Sequence, residues 1–164
     1  MEESVRKLLL ILARESINSR LNNIDVRETI KKESMPEEAL KEGACFVTLT
    51  KNNDLRGCIG SLEAYRSLYD DIVSNSINSA FKDTRFTMIN KAEMKDIKIE
   101  ISILSERSEV QYENFSDLKK KIIPDVHGVY LSFSYHSATF LPQVWEQLNT
   151  HEQFFTHLCR KAGL

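Results

Sequence analysis

The sequence predicts an α+β fold, a mixed or antiparallel sheet with helices packed against it. Three observations carry that prediction. Apolar residues recur at helical spacing near both ends and in the middle of the chain. They recur at a spacing of two from Ile97 to Leu104. Two β-rich runs flank the Asn/Asp-rich stretch Lys51-Asn52-Asn53-Asp54. A length of 164 residues suits a single domain, taken as 1–164, with enough chain to bury a core.

Val5, Leu8, Leu9, Leu12, Ala13 and Ser16 make an amphipathic opening helix to about Leu21. Ser34 and Glu37 have capping-box spacing and predict a short helix through Leu40. Cys45 to Thr50 and Leu55 to Ile59 read as a hairpin. Ser67 and Asp70 then open a second long helix. Its inner face is Leu68, Tyr69, Ile72, Val73, Ser76, Ile77, Ala80 and Phe81. In the clearest strand, Ile97, Ile99, Ile101 and Ile103 line one face, and Lys98, Glu100 and Ser102 line the other. Asn114 to Ile122 predicts a short helix with a solvated lysine run. Gly128 to Tyr135 and Ala138 to Leu141 predict two strands. Pro142 suits the first turn of a helix through Leu148. Thr150 with Gln153 caps a last helix whose inward residues are Phe155, Leu158, Cys159 and Ala162, and Gly163 ends it.

Composition narrows the function classes. Hydrophobic residues are 41% and charged residues 28%, outside the disordered range. The formal net charge of −2 disfavours a broad cationic face for nucleic acid or an anionic membrane. The longest apolar run, Leu8 to Ala13, is too short to span a bilayer, and Glu2 and Glu3 precede it, so a cytoplasmic location is expected. Cys45, Cys58 and Cys159 give neither a disulfide framework nor zinc spacing, and the four histidines show no chelating pattern. No phosphate loop, nucleophile elbow or dinucleotide fingerprint is present, so no cofactor is expected.

Chemistry concentrates in Leu55-Arg56-Gly57-Cys58-Ile59-Gly60. Strand alternation predicts Arg56 and Cys58 on one side, where a guanidinium favours the thiolate. Gly57 and Gly60 suggest a bulge or a close backbone approach. Cys58 is the candidate nucleophile, set against a packing role, because no histidine lies near it in sequence. In Asp83-Thr84-Arg85-Phe86, Arg85 suits a bidentate anion with Asp83 holding it, or a structural ion pair at a helix end. Glu100, on the polar face of the isoleucine strand, would meet Arg56 if that strand neighbours the hairpin.

Phe46-Val47-Thr48-Leu49 followed by Leu55-Arg56-Gly57-Cys58-Ile59-Gly60 resembles the signature of the AMMECR domain family. Asp71-Ile72, Asn75, Ala80-Phe81, Ile99 to Ser105, Phe140-Leu141-Pro142-Gln143-Val144-Trp145 and Leu158 to Leu164 agree in order. The resemblance implies two intimately associated subdomains with the signature segment lining a cleft between them. Arg56, Gly57, Cys58, Asp83, Arg85, Glu100 and Gln143 are then the cleft and binding candidates. Prokaryotic relatives are often protein A of the AmmeMemoRadiSam set, beside a Memo-type protein and a radical S-adenosylmethionine enzyme. The resemblance thus implies a binding or adaptor component of a modification pathway, with those two proteins and a small molecule or peptide as partners. The alternative is an enzyme or enzyme subunit using Cys58 on a small anionic or peptide substrate. Thr84 stands where the family has Pro, and Ser134-Tyr135-His136-Ser137 replaces a glycine-containing turn. Relatives continue past the Lys161–Leu164 segment into a further strand, so the resemblance implies either that this strand is absent here or that the sheet edge is covered in another way.

Overall fold

A computed structural model describes residues Met1–Leu164, which form two compact units, Met1–Glu106 and Arg107–Leu164. The first contains α1 (Glu3–Leu21), α2 (Val26–Thr29), α3 (Glu37–Leu40), β1 (Cys45–Lys51), β2 (Asp54–Gly60), α4 (Leu68–Phe81) and β3 (Ile97–Ile103). The second contains α5 (Phe115–Lys121), β4 (Val129–Phe133), β5 (His136–Phe140) and α6 (His151–Ala162). The fold is α+β, with every strand pair antiparallel.

In the first unit the sheet runs in the order β2-β1-β3. Asn52 and Asn53 turn the β1–β2 hairpin with φ of 53° and 69°, a left-handed conformation that asparagine tolerates. Val47 and Leu49 of β1 share a buried cluster with Leu9, Leu12 and Ile17 of α1, Tyr69 and Ile72 of α4, and Ile97 of β3. Each such side chain contributes about 1.5–3 kcal/mol on burial. Ser67 caps α4 by accepting from Asp70 N. The buried face of α4 is wider than its apolar stripe, because Asp71, Asn75 and Ser79 are buried as well. Asp71 explains why. Its carboxylate accepts from Cys45 N (2.8 Å), Asn75 Nδ2 (2.9 Å), Ser61 Oγ (2.6 Å) and Arg66 Nε (2.8 Å). The helix is thereby pinned to the start of β1 by a charge whose bonding capacity is filled.

In the second unit, Trp145 stacks on Phe154 at 3.7 Å and donates from Nε1 to His127 O at 2.9 Å. Ile122, Ala138, Leu158 and Ala162 complete its core. Thr150 caps α6 by accepting from Gln153 N, and Gly163 ends it with φ of 82°. Ser134 takes φ of 54°, so the β4–β5 turn forms without glycine.

Several local expectations change. Ser34 does not cap α3. It closes a 3-10 turn (Lys32–Ser34) by donating to Lys31 O, and Pro36 occupies the N-cap position. Residues Pro142–Glu146 form a 3-10 turn in place of a helix through Leu148. On α6 Phe154 is fully buried, while Phe155 and Cys159 are only partly so. The short helix α2, capped by Asp25 with Glu28 three residues later at capping-box spacing, was not expected from the sequence.

Candidate functional site

The signature hexapeptide is almost all of β2, the strand at the sheet's outer edge. Cys58 lies opposite Thr48, and Gly57 opposite Leu49, but the next pair is Thr50 with Leu55. Arg56 is therefore an extra residue, a β-bulge. The bulge interrupts the alternation that was expected to put Arg56 beside Cys58. The Arg56 guanidinium instead donates to Glu93 from Nε (2.7 Å) and Nη2 (3.2 Å). Lys51 joins the same carboxylate at 3.3 Å. The Arg56 bonds, set against partial burial, hold the Glu93 carboxyl below its usual range.

Both signature glycines are explained by close approach. A Cβ on Gly57 would lie 2.2 Å from the backbone oxygen of Ser79 on α4. A Cβ on Gly60 would lie 2.3 Å from the Phe46 ring. Ser79 adds a second tie, accepting from Ile59 N at 2.9 Å and donating to Val47 O at 2.7 Å.

Asp83 and Arg85 act together on the strand's outer edge. Asp83 Oδ2 accepts from Cys58 N at 2.9 Å, and Arg85 Nη2 donates to Cys58 O at 3.2 Å. The pair is bound to itself through Arg85 Nε (2.9 Å) and Nη2 (2.7 Å). Two side chains thus fill the donor and acceptor positions that a neighbouring strand would occupy. The Arg85 hydrogen bonds, opposed by burial and helped by the Cys58 and Arg85 amides, hold the Asp83 carboxyl far below the usual carboxylate range. Thr84 does not loosen this turn, because Phe86 N donates to Asp83 O (3.1 Å) and Arg85 N to Asp83 Oδ1 (3.2 Å).

The sheet face away from α4 carries the Cys58 side chain. Cys58, Thr48 and Glu100 form a row across its three strands. The Cys58 thiol lies 3.3 Å from Thr48 Oγ1 and is half-buried. Phe46 and Ser102 lie on one side of that row, and Leu55, Thr50 and Lys98 on the other. Glu100 sits on β3, beyond β1, and so does not meet Arg56. Gln143 belongs to the second unit, in the turn Pro142–Glu146. Cys45 is fully buried, and burial with the nearby Asp71 charge pushes its thiol far above the ordinary value. No group of three or more His, Cys, Asp or Glu residues is placed to hold a metal.

A family model described as AMMECR1 matches residues 10–164. The chain belongs to the AMMECR1 family. A protein of Methanococcoides burtonii is 34% identical over 99% of this chain and 78% of its own length. Protein MK0488 of Methanopyrus kandleri is 31% identical over 96% of this chain and 77% of its own length. The crystal structure of uncharacterized protein PH0010 from Pyrococcus horikoshii matches with a TM-score of 0.90 and 27% identity, covering 100% of this chain and 82% of that one.

For this AMMECR1 chain, sequence reasoning found the signature strand of the hairpin, both glycines and the Asp83–Arg85 pairing. It missed Glu93 and Ser79, which lie 37 and 20 residues from their β2 partners. The only available signal for Ser79 was a small hydroxyl residue beside the apolar face of α4.

Proposed function

We propose that this AMMECR1 chain is a binding or adaptor component whose recognition surface is the β1–β3 face carrying Phe46, Thr48, Cys58 and Glu100. The observation that carries this reading is the engagement of the charged groups around the signature. Arg56 is held by Glu93, and Asp83 and Arg85 are held by each other and by the Cys58 backbone. Thr48 Oγ1 is hydrogen-bonded to the Cys58 sulfur and is not a base strong enough to take its proton, and the nearby Arg85 guanidinium is committed to Asp83. The segment is built for rigidity of presentation.

By resemblance, the partners are the Memo-type protein and the radical S-adenosylmethionine enzyme of the same pathway, or a peptide or small molecule belonging to it. Co-purification with the two proteins tests this. Thr48→Arg, which projects a long cation from the centre of the face, is expected to abolish association, while Cys58→Ser keeps it. Association that survives Thr48→Arg in the folded variant sinks the reading.

The exposure of Cys58 beside a hydroxyl favours a second reading, an enzyme or enzyme subunit with a nucleophilic or redox thiol. Alkylation kinetics separate the two. Rates that stay high and pH-independent through neutrality would require a stabilised thiolate and favour catalysis. Cys45 serves as the unreactive internal control.

A further inference from the structure

The helical layer of the first unit holds a cleft of about 340 Å³ that no strand lines. Its walls are two pairs of residues one helical turn apart, Ser16 and Arg20 on α1 and Val73 and Ile77 on α4. Ile24, in the loop after α1, and Arg27 of α2 complete it. Ser16 returns its hydroxyl to Leu12 O at 2.7 Å, so this part of the wall is small and offers no free donor. Val73 is buried and Ile77 half-buried, whereas Ile24 is 47% exposed and leaves apolar surface open to an incoming group. The loop is held in place by the bond from Ile24 N to Ser19 O at 2.8 Å. Cys58 lies on the opposite face of the sheet, so the cleft is a separate site.

The charges around the cleft are unevenly engaged. Arg27 bridges two carboxylates, Asp25 at 3.5 Å and Asp70 at 3.4 Å. Arg20 is exposed and makes no hydrogen bond, ion pair or ring contact through its side chain. Two arginines against one aspartate leave the lining with one positive charge in excess, and Arg20 carries it. A cation in the last turn of α1 suits the helix dipole, but the dipole does not account for the apolar wall beside it. We propose that the cleft binds a small aliphatic monocarboxylate, its carboxylate forked on the Arg20 guanidinium and its chain against Val73, Ile77 and Ile24. The single excess charge suits a monoanion, and Asp25 in the lining disfavours a dianion. The volume is at the small end of the range that holds organic ligands, roughly 300–1,000 Å³.

Titration of the full chain with hexanoate, followed by nuclear magnetic resonance of the backbone amides and arginine Nε–H groups, tests the proposal. A dissociation constant of about 1 mM or tighter is expected, with the largest shifts at Ile24, Val73, Ile77 and the Arg20 side chain. Hexanol keeps the aliphatic chain and lacks the charge, and is expected to bind about tenfold or more weakly. Arg20→Gln, which keeps a good helix former at an exposed position, is expected to weaken hexanoate binding by a similar factor. Should that variant misfold, the comparison of hexanoate with hexanol on wild type decides alone. Hexanoate no tighter than hexanol, a folded Arg20→Gln that binds hexanoate as wild type does, largest shifts outside the cleft, or no saturable shift up to about 20 mM would overturn it.

Discussion

A glycine that touches a helix backbone has no small substitute. At Gly57 an added methyl would meet the Ser79 carbonyl at 2.2 Å, and neither the strand nor α4 yields easily there. Gly57→Ala is expected to cost about 3 kcal/mol, measured by urea unfolding. Gly43→Ala meets only the Leu68 side chain at 3.1 Å and its immediate backbone beyond, and is expected to cost much less. Asp83 supplies a pH-dependent term. Its folded carboxyl sits below the ordinary value of 3.8, so its contribution is complete above that value and is lost as pH falls toward the folded one. Asp83→Ala is expected to remove about 1–3 kcal/mol at neutral pH, where it leaves Cys58 N and Arg85 without their acceptor. The loss is expected to shrink below pH about 3, so stability curves of the two proteins converge in acid.

Elements were legible where the signal was local. The Asn52-Asn53 turn, the isoleucine alternation of β3, and the caps Ser67 and Thr150 all act within a few residues, and each formed as read. The signature strand was half legible. Its two glycines announced a close approach, but a bulge exists only relative to a partner strand, so the side on which Arg56 falls was not written in β2 itself. Asp83 and Arg85 are two residues apart and could be paired by eye, whereas their target, the Cys58 backbone, lies 25 and 27 residues away. The candidate site accordingly needed tertiary structure even though its residues did not. The tie between α4 and the hairpin carries its own expectation. Ser79→Ala deletes the hydroxyl that serves both Ile59 N and Val47 O, and is expected to cost about 1–2 kcal/mol and to speed amide exchange at Ile59 more than at Val129.

Across the whole molecule, acid sensitivity is unevenly distributed. In the first unit the carboxyls of Asp70, Asp83 and Glu93 are all depressed. At Asp70, burial pushes upward and is outweighed by the bonds from Lys32 and Ser67. In the second unit the depressed groups, Asp117 and Glu152, are paired with lysines at the surface, where solvent screens them. Each depressed carboxyl stabilises the fold above its unfolded value and ceases to do so as pH falls. Amide exchange during acid titration is therefore expected to show protection falling in β1 and β2 before β4 and α6. The reverse order would mean that the surface pairs of the second unit matter more than their exposure implies. No helix is long and apolar enough to cross a membrane.

The bulge at Arg56 also changes how mutational tolerance should read along the chain. In β1 and β3, a saturation library should record a two-beat rhythm, intolerant at Val47 and Leu49 and permissive at Thr50 and Lys98. Through β2 the beat should slip. Arg56 and Gly57 should resist replacement in succession, the arginine for its grip on Glu93 and the glycine for the helix behind it. A fitness map with two adjacent intolerant columns inside one strand would be the genetic trace of an inserted residue.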